Sequence, residues 1–584
     1  MSRTARRALS ALTATVLLAG LMVGTPSAVS AGVVEPSPQY VAVEGRAYSG
    51  AHAVDCNSTT FKADSDDDNE EAESAVAAAA GGAVYFCAGN YFFTGAVNPG
   101  DSELVGAGAA STSISGSEMT RMFVTLGNIV LSGLTLRDGR STGYGGGAIL
   151  ANGDVTVNDA VFTDNFSDSG GGAIAAQGAV TVTDSVFTGN STTDRGGAIG
   201  SYGYVTVISS SFTNNDSIAD ENCVGGGGAI AAEDDVYVDE GSTFTGNTAT
   251  LGEATEYGDC DNADIYGGRG GAILTGEFGL IYDSTFSGNA ATFGGGAIYA
   301  LGVGLLPTRD LNGVIDGSTF INNTAFGTWD NNIGIAGNAV YQHYDDLHIS
   351  GSTFSSNTGL GSAVQVEGQL IGEGTIIGGA VVVTDSDFSG NTGVYGGAIG
   401  ATYVSVSGST FSRNSAEWSG GAITAVNAEI DRSTFAGNSS LRGGAVFYCG
   451  ESFITNSSFT RNVAQKVGIS WFGPAELSGL GGAVAGYGGT LALTANRFTA
   501  NQATFAGGAV WFEGVAVDSL AVMSRNSFTG NRAGSTGGAV GYNLLAQPVP
   551  SRRQLMVAQG HNRFSGNRGG RGALFGGYAL QFVP

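Results

Sequence analysis

Lysine is nearly missing. The 584 residues hold only Lys62 and Lys466, and with 24 Lys+Arg against 51 Asp+Glu the formal charge is −27. Nucleic acid and pectin-like polyanions need clustered cations, so neither is an expected partner. Four histidines and five cysteines, with no C-x-x-C pair, give no zinc pattern. Nine prolines beside 98 glycines fit neither collagen nor a Pro-rich disordered segment, and 42% hydrophobic residues can build a core. No stretch beyond the leader approaches the roughly 18–20 apolar residues of a membrane helix. An LPxTG-type wall signal and a hydrophobic C-terminal tail are also missing.

Residues 1–31 read as a signal peptide. Arg3, Arg6 and Arg7 form a positive n-region, ALTATVLLAGLMVG an apolar core, and Val29-Ser30-Ala31 a small-residue cleavage site. The expected location is therefore secreted, extracellular or associated with a cell wall. Residues 32–54 read as a linker or loosely attached lead strand, 55–100 as an N-terminal cap with the first coil, and 101–584 as one repeat array.

What is abundant is repetition. F-x-x-N recurs fourteen times in phase from Phe162 to Phe564, at a minimum spacing of 23–25 residues. That is too short for a strand-helix-strand unit and long enough for three short strands with their turns. Val180-Thr181-Val182 and Val205-Thr206-Val207 alternate with period two, placing valines on one face. Each coil then contributes a G-A-I strand, a V-T-V strand and an S-x-F strand, stacked on its equivalents about 4.8 Å away. The glycine pair before Ala-Ile marks a turn needing φ > 0 or close backbone packing. The asparagine of F-x-x-N tolerates the left-handed region and can bond to neighbouring coils. The fold expected is all-β: a right-handed, single-stranded parallel β-helix of about 16–17 coils.

Twelve in-phase copies of GGA[IV] paired with F-x-x-N, over about residues 140–575, resemble the repeat of chlamydial polymorphic outer-membrane proteins. That resemblance implies a cell-surface β-helix, often an adhesin. Unlike the chlamydial type, this sequence carries no C-terminal translocator barrel. The stretch DSDDDNEEAESAVAAAAGGAVYFCAGNYFFTG resembles the start of pectate-lyase-like β-helices, where a short helix caps the first coil. Asp64–Asp68 can cap that helix, Glu71 to Ala80 are good helix formers, and Gly81-Gly82 stop it.

Five cysteines in an exported chain leave one over. Cys56 precedes the cap helix and Cys87 lies in the first coil, so that pair would close the cap. Cys223 and Cys260 occupy long inserts of two successive repeats, where a loop-to-loop bridge is expected. Cys449 is left free.

Chemistry on a repeat scaffold should show as a departure from the repeat. Around residues 300–380 GGA[IV] degenerates to Gly337-Asn338-Ala339-Val340 and Gly361-Ser362-Ala363-Val364, and His343, Asp345, Asp346 and His348 cluster there. Carboxylates beside histidines can do acid–base work on a glycosidic bond, although the same residues also suit a polar turn. Asp220, Glu221, Asp259, Asp261 and Asp264 could hold calcium in the inserts, yet lack EF-hand or nonapeptide spacing; no other cofactor is indicated. The position after Ile or Val of GGA[IV] should point outward, and it holds Tyr299, Tyr341, Phe447, Trp511 and Phe575, which could stack on sugars or a protein partner. The polygalacturonase-type series N-T-D … D-D … G-H-G … R-I-K does not occur. The leading expectation is an adhesin-like protein binding glycan or a surface protein; the alternative is a polysaccharide hydrolase or lyase centred on residues 329–367. Arg552, Arg553, Arg563, Arg568 and Arg571, with no acidic residue from Ser551 onward, sit where an uncapped sheet invites end-to-end self-association; like charge there is expected to hold it off, or else to hold this end against an anionic cell wall.

Overall fold

The computed structural model describes residues 82–219, 225–251, 267–302, 313–326, 337–371, 379–465, 478–514, 520–544 and 560–570, with short helix or strand pieces at 52–53, 66–79, 375–377, 555–558 and 575–576. Each coil is built as its sequence alternates. In one of them Ile174–Ala176, Val180–Thr183 and Val186–Thr188 form three strands, and Ser191–Thr192 adds a short fourth that the repeat alone did not reveal. All four pair in parallel with the next coil: Ile174 opposes Ile199, Val180 opposes Val205, Phe187 opposes Phe212 and Ser191 opposes Asp216. Seventeen strands stack in the phenylalanine position among the described residues. The chain is a parallel β-helix.

Valines 180 and 182, Ile174 and Phe187 are fully buried in one continuous core. Phenylalanines form a ladder: Phe162, Phe187 and Phe212 stack with centroids 4.6 and 4.7 Å apart and rings within 5° of parallel. The coil spacing thus matches the stacking distance of an aromatic ring.

Asparagines form a second ladder beside it. Asn215 is fully buried; its Nδ2 donates to Asn247 Oδ1 at 2.9 Å and to the Phe187 carbonyl at 3.0 Å. Its Oδ1 accepts from the backbone N and Nδ2 of Asn190 at 3.1 and 2.9 Å. A buried amide satisfied on every side is stabilising, where an unpaired one is costly. The left-handed residue is the one before the asparagine, namely Asp164, Gly189 and Asn214, which corrects the expectation that the ladder asparagine takes that conformation. A third ladder runs through serines: Ser185 N donates to Ser210 Oγ at 3.0 Å and Ser210 N to Ser242 Oγ at 3.2 Å. Asn496 and Asn526 take over that position later in the chain.

The glycine pair has two separate duties. Gly171 has φ +58°, whereas a Cβ on Gly172 would overlap the carbonyl oxygen of Gly197 in the next coil. The cap is a helix, Asp66–Ala79, with Ala72, Val76 and Ala79 against the core. Glu73 Oε1 accepts from Thr94 N at 2.6 Å, tying the helix to the first coil, and His52–Ala53 pairs in parallel with Val84 and Tyr85. No helix among the described residues is long and apolar enough to cross a membrane, which says nothing of a strand-built span.

One stretch breaks the rhythm. Ile399–Ser407 and Ile423–Asp431 are nine-residue strands that run unbroken from the first strand position through the second, erasing the corner present in other coils.

Candidate functional site

Along the outward row of the first sheet, Ala231, Leu274, Tyr299, Tyr341 and Gln365 follow one another in register. Equivalent residues lie one strand spacing apart, so large side chains there meet face to face. Tyr299 and Tyr341 stack 4.6 Å apart at 13°, and the Arg269 guanidinium lies 5.0 Å from the Tyr299 ring centre. Tyr341 Oη donates to Glu367 Oε2 at 2.7 Å. His343 directly opposes Glu367 in the strand register, with Nε2 3.8 Å from the same oxygen, and Tyr344 stacks on the imidazole.

Burial pushes the Glu367 carboxyl up, and the Tyr341 hydrogen bond opposes this in part. Burial likewise pushes His343 down; a Leu301 backbone bond opposes the fall and Arg269 adds to it. Both partners are drawn toward their neutral forms, so this is a weak ion pair whose members can exchange a proton. Burial holds the Tyr341 phenol far above its ordinary range, reinforced by Tyr299 and Glu367. Asp345 is also raised, by burial and then by Asp346 and Asp235.

Residues expected for two different roles therefore converge: Tyr299 and Tyr341 with His343, and Asp345 next to them, where its Oδ2 receives a long 3.4 Å contact from Gln342. Asp346 has a structural task, accepting from Ala380 N at 2.9 Å. His348 lies in the next strand of its coil, between Val314 and Val382 in register. The degenerate glycine positions are also structural. Asn338 Nδ2 donates to the Gly361 and Thr392 carbonyls, and Ser362 Oγ to that of Tyr395. Glu367 and Arg269 escaped the sequence reading. Glu367 lies 24 residues after His343, the same offset as Val364 after Val340, so aligning the coils would have paired them.

The expectation of exposed aromatic platforms is corrected. Tyr299, Tyr341 and Trp511 are 7%, 3% and 8% exposed. They do lie outside the main core, as alternation requires, but in small clusters of their own: the tyrosines with Ala231 and Leu274, the indole with Leu480, Ala485, Ala506 and the partly buried Phe447. Trp511 has small neighbours in register, Ala485 and Gly541, and a Cβ on Gly541 would meet the indole. The side chain of Phe575 lies outside the described residues.

So do Asp220, Glu221, Asp259, Asp261 and Asp264, and Cys56, Cys223 and Cys260; no metal-binding group occurs among the described residues. Cys87 is disulfide-bonded, and Cys449 is a free, exposed cysteine. Arg563 and Arg568 are exposed, whereas Arg552, Arg553 and Arg571 lie outside the described residues.

Residues 159–177, 184–202 and 283–301 match the Chlamydia polymorphic membrane protein repeat. No curated protein sequence matches the chain. Among solved structures it is similar to the catalytic unit of the GH87 alpha-1,3-glucanase of Streptomyces thermodiastaticus, at 11% identity and TM-score 0.22, covering 92% of this chain and 71% of that one. The A-module of the Azotobacter vinelandii mannuronan C-5 epimerase AlgE4 is similar at 11% identity and TM-score 0.17, over 88% and 95% of the two chains. The PL6 family alginate lyase AlyGC is similar at 9% identity and TM-score 0.18, over 88% and 98%.

Proposed function

We propose that this chain is an exported, surface-located β-helix that binds a glycan or a surface protein through one side of the solenoid without turning it over. The observation that carries this reading is a set of half-exposed apolar side chains near one edge of the first sheet position. Val426, Phe453 and Tyr487 are 41–42% exposed and come from three successive coils, at or just beyond the end of the first strand. Exposed apolar side chains close together are characteristic of an interaction site. The leader and the chlamydial-type repeats support a surface location. The reading is tested by retention of the purified protein on washed cells and on glycan arrays. Replacing Val426, Phe453 and Tyr487 together by serine should abolish retention with the melting temperature unchanged; undiminished retention would remove this face from consideration.

A second reading, a polysaccharide hydrolase or lyase, is favoured by one observation, the partly accessible Glu367–His343 pair with its raised carboxyl. Reducing-sugar or unsaturated-uronate release that disappears in Glu367→Gln would establish it.

A further inference from the structure

Where the two nine-residue strands erase the corner, a groove of about 130 Å³ opens on the outer surface, lined by Tyr403, Asn427, Ala428, Glu429, Glu451 and Phe453. Its geometry is fixed by the sheet. Tyr403 opposes Asn427 and Glu429 opposes Phe453 in register. The Tyr403 hydroxyl bonds to Glu429. Asn427 Oδ1 accepts from Glu451 N at 2.8 Å, which leaves its amide nitrogen as a donor. The groove thus offers two aromatic rings, an amide and two carboxylates, and no lysine, arginine or histidine lines it.

Resting on the binding reading above, we propose that this groove is a saccharide subsite for a glycan of amine-bearing hexoses. The apolar C–H face of a pyranose suits the Phe453 and Tyr403 rings, and its hydroxyls suit Asn427. An ammonium on the sugar is complementary to Glu429 and Glu451 and is attracted by ring faces. A uronate would meet two carboxylates and a protein of charge −27. A basic peptide shares the charge but finds no backbone to pair with. The strands of the groove are already hydrogen-bonded on both sides, Tyr403 between Ala380 and Asn427, and Glu429 between Ser405 and Phe453, so strand addition is closed to it.

Calorimetry on the full mature chain, with tetramers of glucosamine, N-acetylglucosamine and galacturonate and with tetralysine, tests the proposal. Glucosamine tetramer should bind tightest, and Phe453→Ala and Glu451→Gln should each weaken it about tenfold. Both variants should keep the wild-type melting temperature, and binding should weaken with salt. The proposal is overturned if galacturonate or the acetylated tetramer binds as well, if tetralysine binds as tightly as the sugar, if no tetramer binds, or if both variants bind like wild type. Cell retention measured in parallel separates the two claims. Retention that persists in both variants while glucosamine binding is lost leaves the groove assigned and moves surface binding elsewhere. Wild-type protein that is not retained refutes the broader reading whatever the calorimetry gives.

Discussion

Tyr341 and Glu367, joined by a 2.7 Å hydrogen bond between consecutive coils, bring together two residues that the sequence presents in different guises. One looks like an exposed ring and the other like an ordinary surface carboxylate. The bond holds the phenol in place and partly offsets the rise that burial imposes on the carboxyl. Glu367 is thus raised above 4.5, its ordinary value. A raised carboxyl contributes stability that is fully present below the unfolded value and is lost as pH rises through the folded one. Glu367→Gln removes that loss, so as pH rises above about 4.5 its melting temperature should gain on wild type. Tyr341→Phe removes the opposing bond and should steepen the wild-type decline. Parallel melting curves for wild type and Glu367→Gln across this range would contradict the assignment.

The asparagine ladder predicts a large local cost. Asn215→Ala removes four buried hydrogen bonds and leaves the Asn190 backbone N–H without its partner, while Asn190 Nδ2 keeps the Phe162 carbonyl and Asn247 Oδ1 keeps the Asn215 N–H. Each lost bond costs about 1 kcal/mol and an orphaned buried group roughly 1–3 kcal/mol, so a loss of about 3–5 kcal/mol is expected in denaturant unfolding. A loss below about 1 kcal/mol would show that the ladder is replaceable by water.

Phe187→Ala opens a cavity between Phe162 and Phe212. The expected destabilisation is about 3–5 kcal/mol, also read by denaturant unfolding.

Glycine positions should divide sharply. Gly172→Ala places a methyl on the Gly197 carbonyl and should block folding or markedly lower the melting temperature. Gly95→Ala meets nothing within 4 Å and should be tolerated. Equal behaviour of the two variants would contradict the close approach between coils.

For the cysteines, we propose Cys56–Cys87 and Cys223–Cys260 bridges, with Cys449 free as observed. Thiol titration of unreduced, unfolded protein should count one group per chain. Although Cys449 reaches the surface, desolvation around its sulfur pushes the thiol up, with Arg442 opposing the rise, so alkylation near pH 7 should be slower in the folded protein than in the unfolded chain. Peptide mapping that links Cys449 to another cysteine would overturn this assignment.

Most of the fold was legible because each coil repeats the same local chemistry. The period-two valines, the Phe of F-x-x-N and the glycine pair all mark positions whose environment is the neighbouring coil, so the repeat specifies the stack. The serine ladder at Ser185 and Ser210 was missed because serine at a turn has an adequate local explanation, a bond back to its own coil such as Ser185 Oγ to the Thr183 carbonyl. The site was less legible. Alternation put Tyr299 and Tyr341 outside the main core but could not show that residues in register bury one another. Likewise, nothing in ITAVNAEID signals that its corner is straightened, since the groove at Tyr403 and Phe453 depends on the pairing of three coils.

The central claim is binding without turnover. Its most direct measurement is the chain length of an oligosaccharide that the protein retains, read by chromatography before and after prolonged incubation with saturating protein. The account predicts a bound ligand recovered at its original length, identically for wild type and Glu367→Gln. Shortened products with wild type that vanish with Glu367→Gln would contradict it and make the Tyr341–Glu367–His343 cluster an active site.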